Sequence, residues 1–370
     1  MFGRVQSWIG SACIAVFLCA GAGASQTVVE PVVDRPGDFG YCAVVSSAFD
    51  EAIESIDLLL ANAELEGNPL WERLVAAHER GVEVRVLVDR SDWSASITED
   101  NRPAVEYLRG LGIDARFDNP SVTTHAKLVI VDRRVVILGS TNWNRYALTD
   151  QEQANVKIAD ARVAEAFADW FDWLWEEGEA RVLEVSSDAV LAEGGTWIVA
   201  LPDGDGSAVY ASFVQALIER ARSSVHVVLY RVSVYPGYAD STANRLVDGL
   251  IRAAQRGLDV RIVIDDCQFY ADSAAANLTS ALYLYQHGIP VRFDDPRETT
   301  HAKLLVIDGT HVVVGSTNWN YYALERNVEA NVALLGMSAV ADVFEAFFDT
   351  LWRDGRSVGP WGGSSLGIGG

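Results

Sequence analysis

The sequence predicts an α/β protein assembled from two copies of one unit, and three observations carry that expectation. First, His125-Ala126-Lys127-Leu128-Val129-Ile130-Val131-Asp132, followed by Gly139-Ser140-Thr141-Asn142-Trp143-Asn144, returns as His301-Ala302-Lys303-Leu304-Leu305-Val306-Ile307-Asp308, followed by Gly315-Ser316-Thr317-Asn318-Trp319-Asn320. Second, the same offset of 176 residues relates Gly81 to Gly257, Asp89 to Asp265, Gly112 to Gly288, Arg116 to Arg292 and Asn155 to Asn331. One duplicated unit therefore accounts for most of the chain. Third, short apolar runs alternate with longer stretches of helical periodicity in both copies, the pattern of α/β layers.

Each copy is expected to open with a strand and a turn: Val28 to Val33 before Asp34-Arg35-Pro36-Gly37, and Trp197 to Leu201 before Pro202-Asp203-Gly204-Asp205-Gly206. A helix follows, around Ser47 to Glu54 or Ala211 to Ala221, and then an apolar strand, Ile56 to Leu60 or Val225 to Leu229. A second helix ends at Gly81 or Gly257, where a glycine can take the left-handed conformation of a helix C-terminus. Next come a strand ending in Asp89 or Asp265, a third helix leading to Gly112 or Gly288, and a short strand at Ala115 to Asp118 or Val291 to Asp294. The motif reads as a hairpin, with Lys127 to Val131 and Arg134 to Leu138 as arms in the first copy and the Asp308-Gly309 turn pair in the second. A strand at Asn155 to Ala159 or Asn331 to Leu335 and a closing helix, carrying Phe167, Phe171 and Trp175 or Phe344, Phe348 and Trp352, complete each copy.

The N-terminus sets Arg4 before an apolar run from Ile9 to Ala20 and then Gly21-Ala22-Gly23-Ala24-Ser25, the layout of a secretory signal peptide cut after Ala24. The run is shorter than the roughly 20 apolar residues a membrane span needs. The expected organisation is a signal peptide at 1–24, a first unit at 25–180, a linker at 181–196, a second unit at 197–358 and a flexible Gly/Ser-rich tail at 359–370. The protein is then secreted or periplasmic. Of its four cysteines, Cys42 and Cys267 remain after cleavage; an oxidising compartment permits a disulfide between them, and two buried free thiols are the equal alternative. The formal net charge is −22, and an acidic surface repels polyanions at long range. That balance disfavours nucleic acid, which proteins meet with basic patches, and suits zwitterionic head groups or small diesters.

His125 and Lys127 lie two residues apart, so a strand turns both toward one cavity. Two such pairs put two imidazoles and two ammonium groups around one substrate. Lysines and the amides of Asn142 and Asn318 can hold the non-bridging oxygens of a phosphodiester while one histidine attacks phosphorus and the other protonates the leaving oxygen. Ser140 and Ser316 are candidates to bond the lysines or the phosphate, and Trp143 and Trp319 to pack beneath the site. Asp132 and Asp308 belong to the motif and read as turn residues that close the hairpin. His78, His226, His287 and His311 match no motif and read as structural or surface histidines.

The doubled HxKxxxxD with its trailing GSxN resembles the phospholipase D superfamily. The resemblance implies two α-β-α sandwich units facing each other about a pseudo-two-fold axis, with the active site at their interface. It implies catalysis through a phosphohistidine, with no metal and no cofactor. Such families often carry a glutamate that reaches across to the histidine of the opposite half. Here Glu329 stands eleven residues after Asn318, and Gln153 stands eleven after Asn142. By that likeness Glu329 backs His125 and Gln153 backs His301. His125 is then the nucleophile and His301 the general acid/base, because a carboxylate stabilises a cationic phosphohistidine and fixes its tautomer. Carboxylate backing also raises a histidine pKa, which suits an acid, so the opposite assignment stands beside it.

The substrate expected from the resemblance and the charge is a glycerophospholipid, hydrolysed or exchanged with an alcohol at a peripheral membrane contact. The alternative is an extracytoplasmic, metal-independent endonuclease, for which a basic groove including Arg116, Arg145 and Arg292 would have to line the seam. The loops Arg90-Ser91-Asp92-Trp93, Tyr235-Pro236-Gly237-Tyr238 and Cys267-Gln268-Phe269-Tyr270 are candidates for selectivity. A non-catalytic interaction protein is disfavoured, because both copies keep every His, Lys and Asn of the motif. Both half-sites lie in one chain, so a monomer suffices and no protein partner is required.

Overall fold

The computed structural model describes residues 16–17, 27–91, 94–178, 191, 195–204, 206–267 and 269–359. The expected signal peptide apart from Val16–Phe17, most of the expected linker, and the expected tail from residue 360 onward lie outside the described residues. Val16–Phe17 forms β1. The first half then runs β2 (Val28–Asp34), α1 (Gly40–Glu51), β3 (Ser55–Leu60), α2 (Leu70–Glu79), β4 (Glu83–Val88), α3 (Ala95–Gly110), β5 (Asp114–Phe117), β6 (Lys127–Val131), β7 (Val135–Gly139), α4 (Arg145–Thr149), β8 (Gln151–Ala159) and α5 (Ala161–Glu177). The second half repeats it: β9 (Trp197–Asp203), α6 (Val209–Arg220), β10 (Ser224–Leu229), α7 (Thr242–Gln255), β11 (Asp259–Ile264), α8 (Ala271–Gln286) and β12 (Val291–Phe293). It continues with β13 (Thr299–Thr300), β14 (Lys303–Ile307), β15 (His311–Gly315), α9 (Tyr321–Glu325), β16 (Glu329–Leu335), α10 (Ser338–Asp354) and β17 (Arg356–Ser357).

Each half builds a mixed sheet. In the first, β3, β4 and β5 are parallel, while β6 joins β3 antiparallel and continues through β7 to β8. In the second, β10, β11 and β12 are parallel, and β14, β15, β16 and β9 follow antiparallel. β1 adds to β9, and β2 to β8. The outer face of the first sheet buries Leu58, Val86 and Val129 under Phe49 of α1, Leu74 of α2 and Leu108 of α3. The second sheet does the same beneath α6, α7 and α8. Between the sheets lies a core that belongs to neither half alone. Leu128 and Ile130 meet Leu304 and Val306 there, with Phe167 and Phe171 of α5 and Phe344 and Phe348 of α10. This is the two-unit arrangement the family resemblance implies, and it explains why the central strands are apolar on both faces. No described helix is long and apolar enough to cross a membrane.

One helix departs from the expected range. α1 begins at Gly40 rather than Ser47 and ends at Glu51 rather than Glu54. Its first turn is capped from a distant strand end, because the Asp34 carboxylate accepts from Gly40 N at 2.7 Å and Tyr41 N at 2.8 Å. Asp203 does the same for Tyr210 N at 3.1 Å in α6. Its end is drawn off by Asp132, which takes the next backbone N–H groups. Local periodicity carries neither signal.

Candidate active site

The two histidines stand just ahead of β6 and β14, and each is fixed from the opposite half. His125 N donates to Val328 O at 2.8 Å, and His301 N donates to Glu152 O at 2.9 Å. β13 pairs in parallel with Gln151–Glu152 of β8, so Thr299-Thr300 forms a strand of the other half's sheet rather than merely leading into its own. Carboxylates hold the approach: Thr124 N donates to Asp89 at 2.7 Å, and Thr300 N to Asp265 at 2.8 Å and Asp294 at 3.1 Å. Burial pushes Asp89 up to about 7 and, with Asp265 beside it, Asp294 up to about 9.

His125 Nδ1 lies 3.0 Å from Oε2 of Glu329, which crosses from β16 and is fully buried. Glu329 also accepts from Ser316 Oγ at 2.5 Å and Asn327 Nδ2 at 3.1 Å. His301 is held differently. Its Nδ1 donates to the Ser140 carbonyl at 2.9 Å. Gln153 does not back it, contrary to the family-based expectation. The Gln153 amide accepts from Ser140 Oγ at 2.6 Å and donates to Gln151 Oε1 at 2.8 Å and Ala147 O at 3.4 Å. The two backings are therefore a carboxylate and a neutral carbonyl, and in both rings the remaining nitrogen, Nε2, is left for substrate.

Lys127 and Lys303 are buried, and each Nζ donates to the carbonyl of its own histidine, His125 O at 2.5 Å in the first half and His301 O in the second. Burial pushes Lys127 down to about 7 against the pull of Glu329 and Asp89. Burial and the neighbouring Lys127 charge hold Lys303 well below the usual lysine range. His301 is depressed for the same reasons: burial, then both lysines and His125. His125 is lowered by burial, with Glu329 opposing. Four basic groups clustered and largely buried form a site that an anion relieves. Oδ1 of Asn142 and of Asn318 is buried without a partner, so a half-turn of either amide presents its NH₂ to a ligand.

Further residues shape the loops around these groups. Asn155 Oδ1 accepts from Ser140 N at 3.1 Å and Thr141 N at 3.2 Å, and Asn331 Oδ1 from Thr317 N at 3.2 Å. Gly139 has to be glycine, since a Cβ there would sit 2.5 Å from Ala154 O and Asn155 Cα. Asn101 ties Ala63 N, Ala61 O and Asp89 O together, and Asn277 makes the matching set in the second half. Sequence reasoning missed the Asn101 and Asn277 clamps, although the 176-residue offset relates them too.

Several expected site residues lie elsewhere. Asp132 and Asp308 are not at the reaction centre. Asp132 takes the backbone N–H groups of Ile53, Glu54 and Ser55, and Asp308 those of Arg222, Ser223 and Ser224. They anchor the far end of each hairpin in left-handed turns (φ 52° and 55°). Ser140 and Ser316 bond no lysine; their hydroxyls are spent on Gln153 and Glu329. Arg116 and Arg292 do not line the seam but stack on Trp175 and Trp352 at the outer strands β5 and β12. Arg145 begins α4 and contacts Gly67.

Trp143 and Trp319 are fully buried, each indole N–H donating at 3.0 Å to Tyr41 or Tyr210. His226 pairs with Glu345, and His311 Nδ1 accepts from Gly336 N at 3.0 Å. Cys42 and Cys267 are free and buried. Asp92, Trp93 and Gln268 of the proposed selectivity loops lie outside the described residues, whereas Phe269, Tyr270 and Tyr238 are exposed.

Known proteins resemble this chain over both of its halves. The family model described as "Cardiolipin synthase, PLD-like domain" matches residues 45–175 and 214–352. The mitochondrial cardiolipin hydrolase of Xenopus tropicalis is 31% identical over 164 residues, which are 42% of this chain and 74% of that protein. The chain spans about half the length of the dog and human proteins of the same name. A 5′-3′ exonuclease of Mus musculus is 25% identical over 288 residues, 74% of this chain and 51% of that one. The solved structure of phosphatidylserine synthase from Haemophilus influenzae Rd KW20 shares the fold, with a TM-score of 0.67 over 88% of this chain and 87% of that one at 12% identity.

Proposed function

Because the chain belongs to the phospholipase D superfamily, we propose that it hydrolyses the head group of a glycerophospholipid outside the cytoplasm, through a phosphohistidine on His125. The observation that carries the choice of His125 as the attacking residue is its 3.0 Å contact with the buried carboxylate of Glu329. With Nδ1–H bonded to Glu329, Nε2 of His125 attacks phosphorus. The bond to the departing oxygen breaks as His301 Nε2–H delivers its proton there. Lys127, Lys303 and the Asn142 and Asn318 amides hold the non-bridging oxygens and match the charge that builds in the pentacoordinate state. Water then attacks the phosphohistidine while His301 takes a proton from it, releasing phosphatidate and restoring both histidines. In the first step His301 must be protonated, although it is held low in the free protein. The negative diester beside it offsets the lysine charges and raises it, so substrate binding itself arms the acid.

The exported form begins after Ala24, and phosphatidate is its product. The nuclease reading keeps one support, the likeness to the mouse exonuclease over most of the chain; the net charge of −22 opposes it. Incubation of the exported protein with phosphatidylcholine vesicles and with single-stranded DNA, in the presence of a chelator and with His125→Ala as blank, separates them. Release of choline with intact DNA is the expected result. Cut DNA with intact lipid would replace the lipid reading with the nuclease one.

A further inference from the structure

The two half-sites also differ where the central strand of each sheet runs out. β3 continues into Ala61-Asn62, and β10 into Tyr230-Arg231. The two pairs are structurally equivalent. Ala61 N donates to Ala126 O at 3.0 Å and Tyr230 N to Ala302 O at 3.2 Å. Asn62 O and Arg231 O accept from Trp143 N and Trp319 N, each at 3.0 Å. Each pair is thus wedged between the His-x-Lys segment and the loop that carries the site asparagine. Nothing in the motif reveals the difference between them.

On the second side the Tyr230 ring packs on the His301 imidazole, with centroids 4.8 Å apart, and Lys303 Nζ lies 5.0 Å from the Tyr230 centroid. The first side offers only the methyl group of Ala61. Beside Tyr230, Arg231 keeps its Nε buried with no hydrogen-bond partner. Two buried carboxylates of this half accept backbone N–H groups: Asp265 from Cys267 N at 2.6 Å and Thr300 N at 2.8 Å, and Asp294 from Asp266 N at 2.9 Å and Thr300 N at 3.1 Å. A buried guanidinium N–H without an acceptor is costly, and an incoming anionic oxygen would satisfy it.

We propose that Tyr230 and Arg231 form an anion subsite on the leaving-group side, so that the preferred substrate is a diester whose departing alcohol carries a second phosphate. The proposal rests on the lipid-hydrolase reading with His301 as the acid. The departing oxygen must reach His301 Nε2, and the remainder of the alcohol then runs along the Tyr230 face toward Arg231. The planar, forked guanidinium suits a phosphate better than a lysine would.

The test is a pair of lipids that differ only in that terminal phosphate, phosphatidylglycerophosphate and phosphatidylglycerol, in neutral detergent micelles. The parent protein should cleave the first with a kcat/KM about tenfold or more above the second. Arg231→Asn, which installs the first-half residue, should collapse that ratio to about one, and Arg231→Lys should recover part of it. Equal cleavage of both lipids by the parent would overturn the subsite alone. A ratio unchanged in Arg231→Asn, or both lipids falling by the same factor, would assign Arg231 a structural role and also overturn it. Cleavage of neither lipid by a parent protein that releases choline from phosphatidylcholine would overturn the subsite alone, and inactivity on all three lipids would defeat the lipid reading with it.

Discussion

Glu329 and Gln153 occupy equivalent positions, and a single exchange of oxygen for amide nitrogen makes the two histidines different. Glu329 reaches His125 directly, whereas Gln153 reaches His301 only through Ser140. Glu329→Gln should lower kcat about tenfold to a hundredfold, the loss expected when a charge-assisted hydrogen bond behind the attacking nitrogen becomes a neutral one. Acid-quenched turnover followed by peptide mapping should find phosphate on His125; phosphate on His301 would reverse the roles. The basic cluster makes a second residue-level prediction. Lys127 is held to about 7, and Lys303 and His301 lie well below their usual values. An anion restores them toward those values, so binding takes up protons and tightens as pH falls from 9 toward 6. Sulfate, whose charge is constant over that range, should show this by calorimetry in buffers of different ionisation enthalpy. Affinity that is independent of pH would contradict it. For stability the sign differs. The folded pKa of Lys127 lies below its unfolded value, so the penalty from this group is full below about 7 and is relieved as pH rises toward 10.5.

At the scale of elements, the hairpins are what the motif builds. Asp132 and Asp308 lie in the motif because the hairpin must be fastened to the preceding loop, not because they meet substrate. Asp132→Gly, which keeps the left-handed turn free of strain while removing the carboxylate, should cost about 1–3 kcal/mol in denaturant unfolding and leave kcat within about twofold. A large loss of kcat with unchanged stability would return Asp132 to the chemistry. Asn155→Ala should lower both stability and turnover. It leaves Thr141 N without its acceptor beside Asn142, so kcat should fall more than tenfold for a stability cost of about 1–3 kcal/mol.

At the scale of the molecule, the shared core decides how the halves behave. Leu128, Ile130, Leu304 and Val306 and the aromatic faces of α5 and α10 bury one another between the sheets. Neither half can cover those residues alone. The protein should therefore unfold in a single calorimetric transition, with van't Hoff and calorimetric enthalpies agreeing; two resolved transitions would show the halves to be independent. The same packing brings the catalytic groups together, since each histidine is hydrogen-bonded to the strand that leads out of the other half's site loop.

Much of this was legible in the chain. Repetition at a fixed offset announced the duplication, and the HxK spacing named His125 with Lys127 and His301 with Lys303, although both histidines stand just ahead of the strands that begin at the lysines. The glycines at 81, 112, 257 and 288 marked helix ends because left-handed backbone leaves a local trace, and all four adopt positive φ. Contacts between residues far apart leave no such trace. The start of α1 depends on Asp34 across a turn, the backing of His301 on a main-chain carbonyl that any residue could supply, and the placement of Arg116 and Arg292 on tryptophans some 60 residues away. The difference between Ala61-Asn62 and Tyr230-Arg231 is visible in the sequence but carries no meaning until β3 and β10 are superposed. The sequence by itself determined which groups are available and how each is spaced along its own strand, because spacing is a property of the backbone. Tertiary structure alone decided which carboxylate faces which imidazole and which serine is spent on its neighbour, because a side chain's partner is set by whatever the fold brings within hydrogen-bond reach.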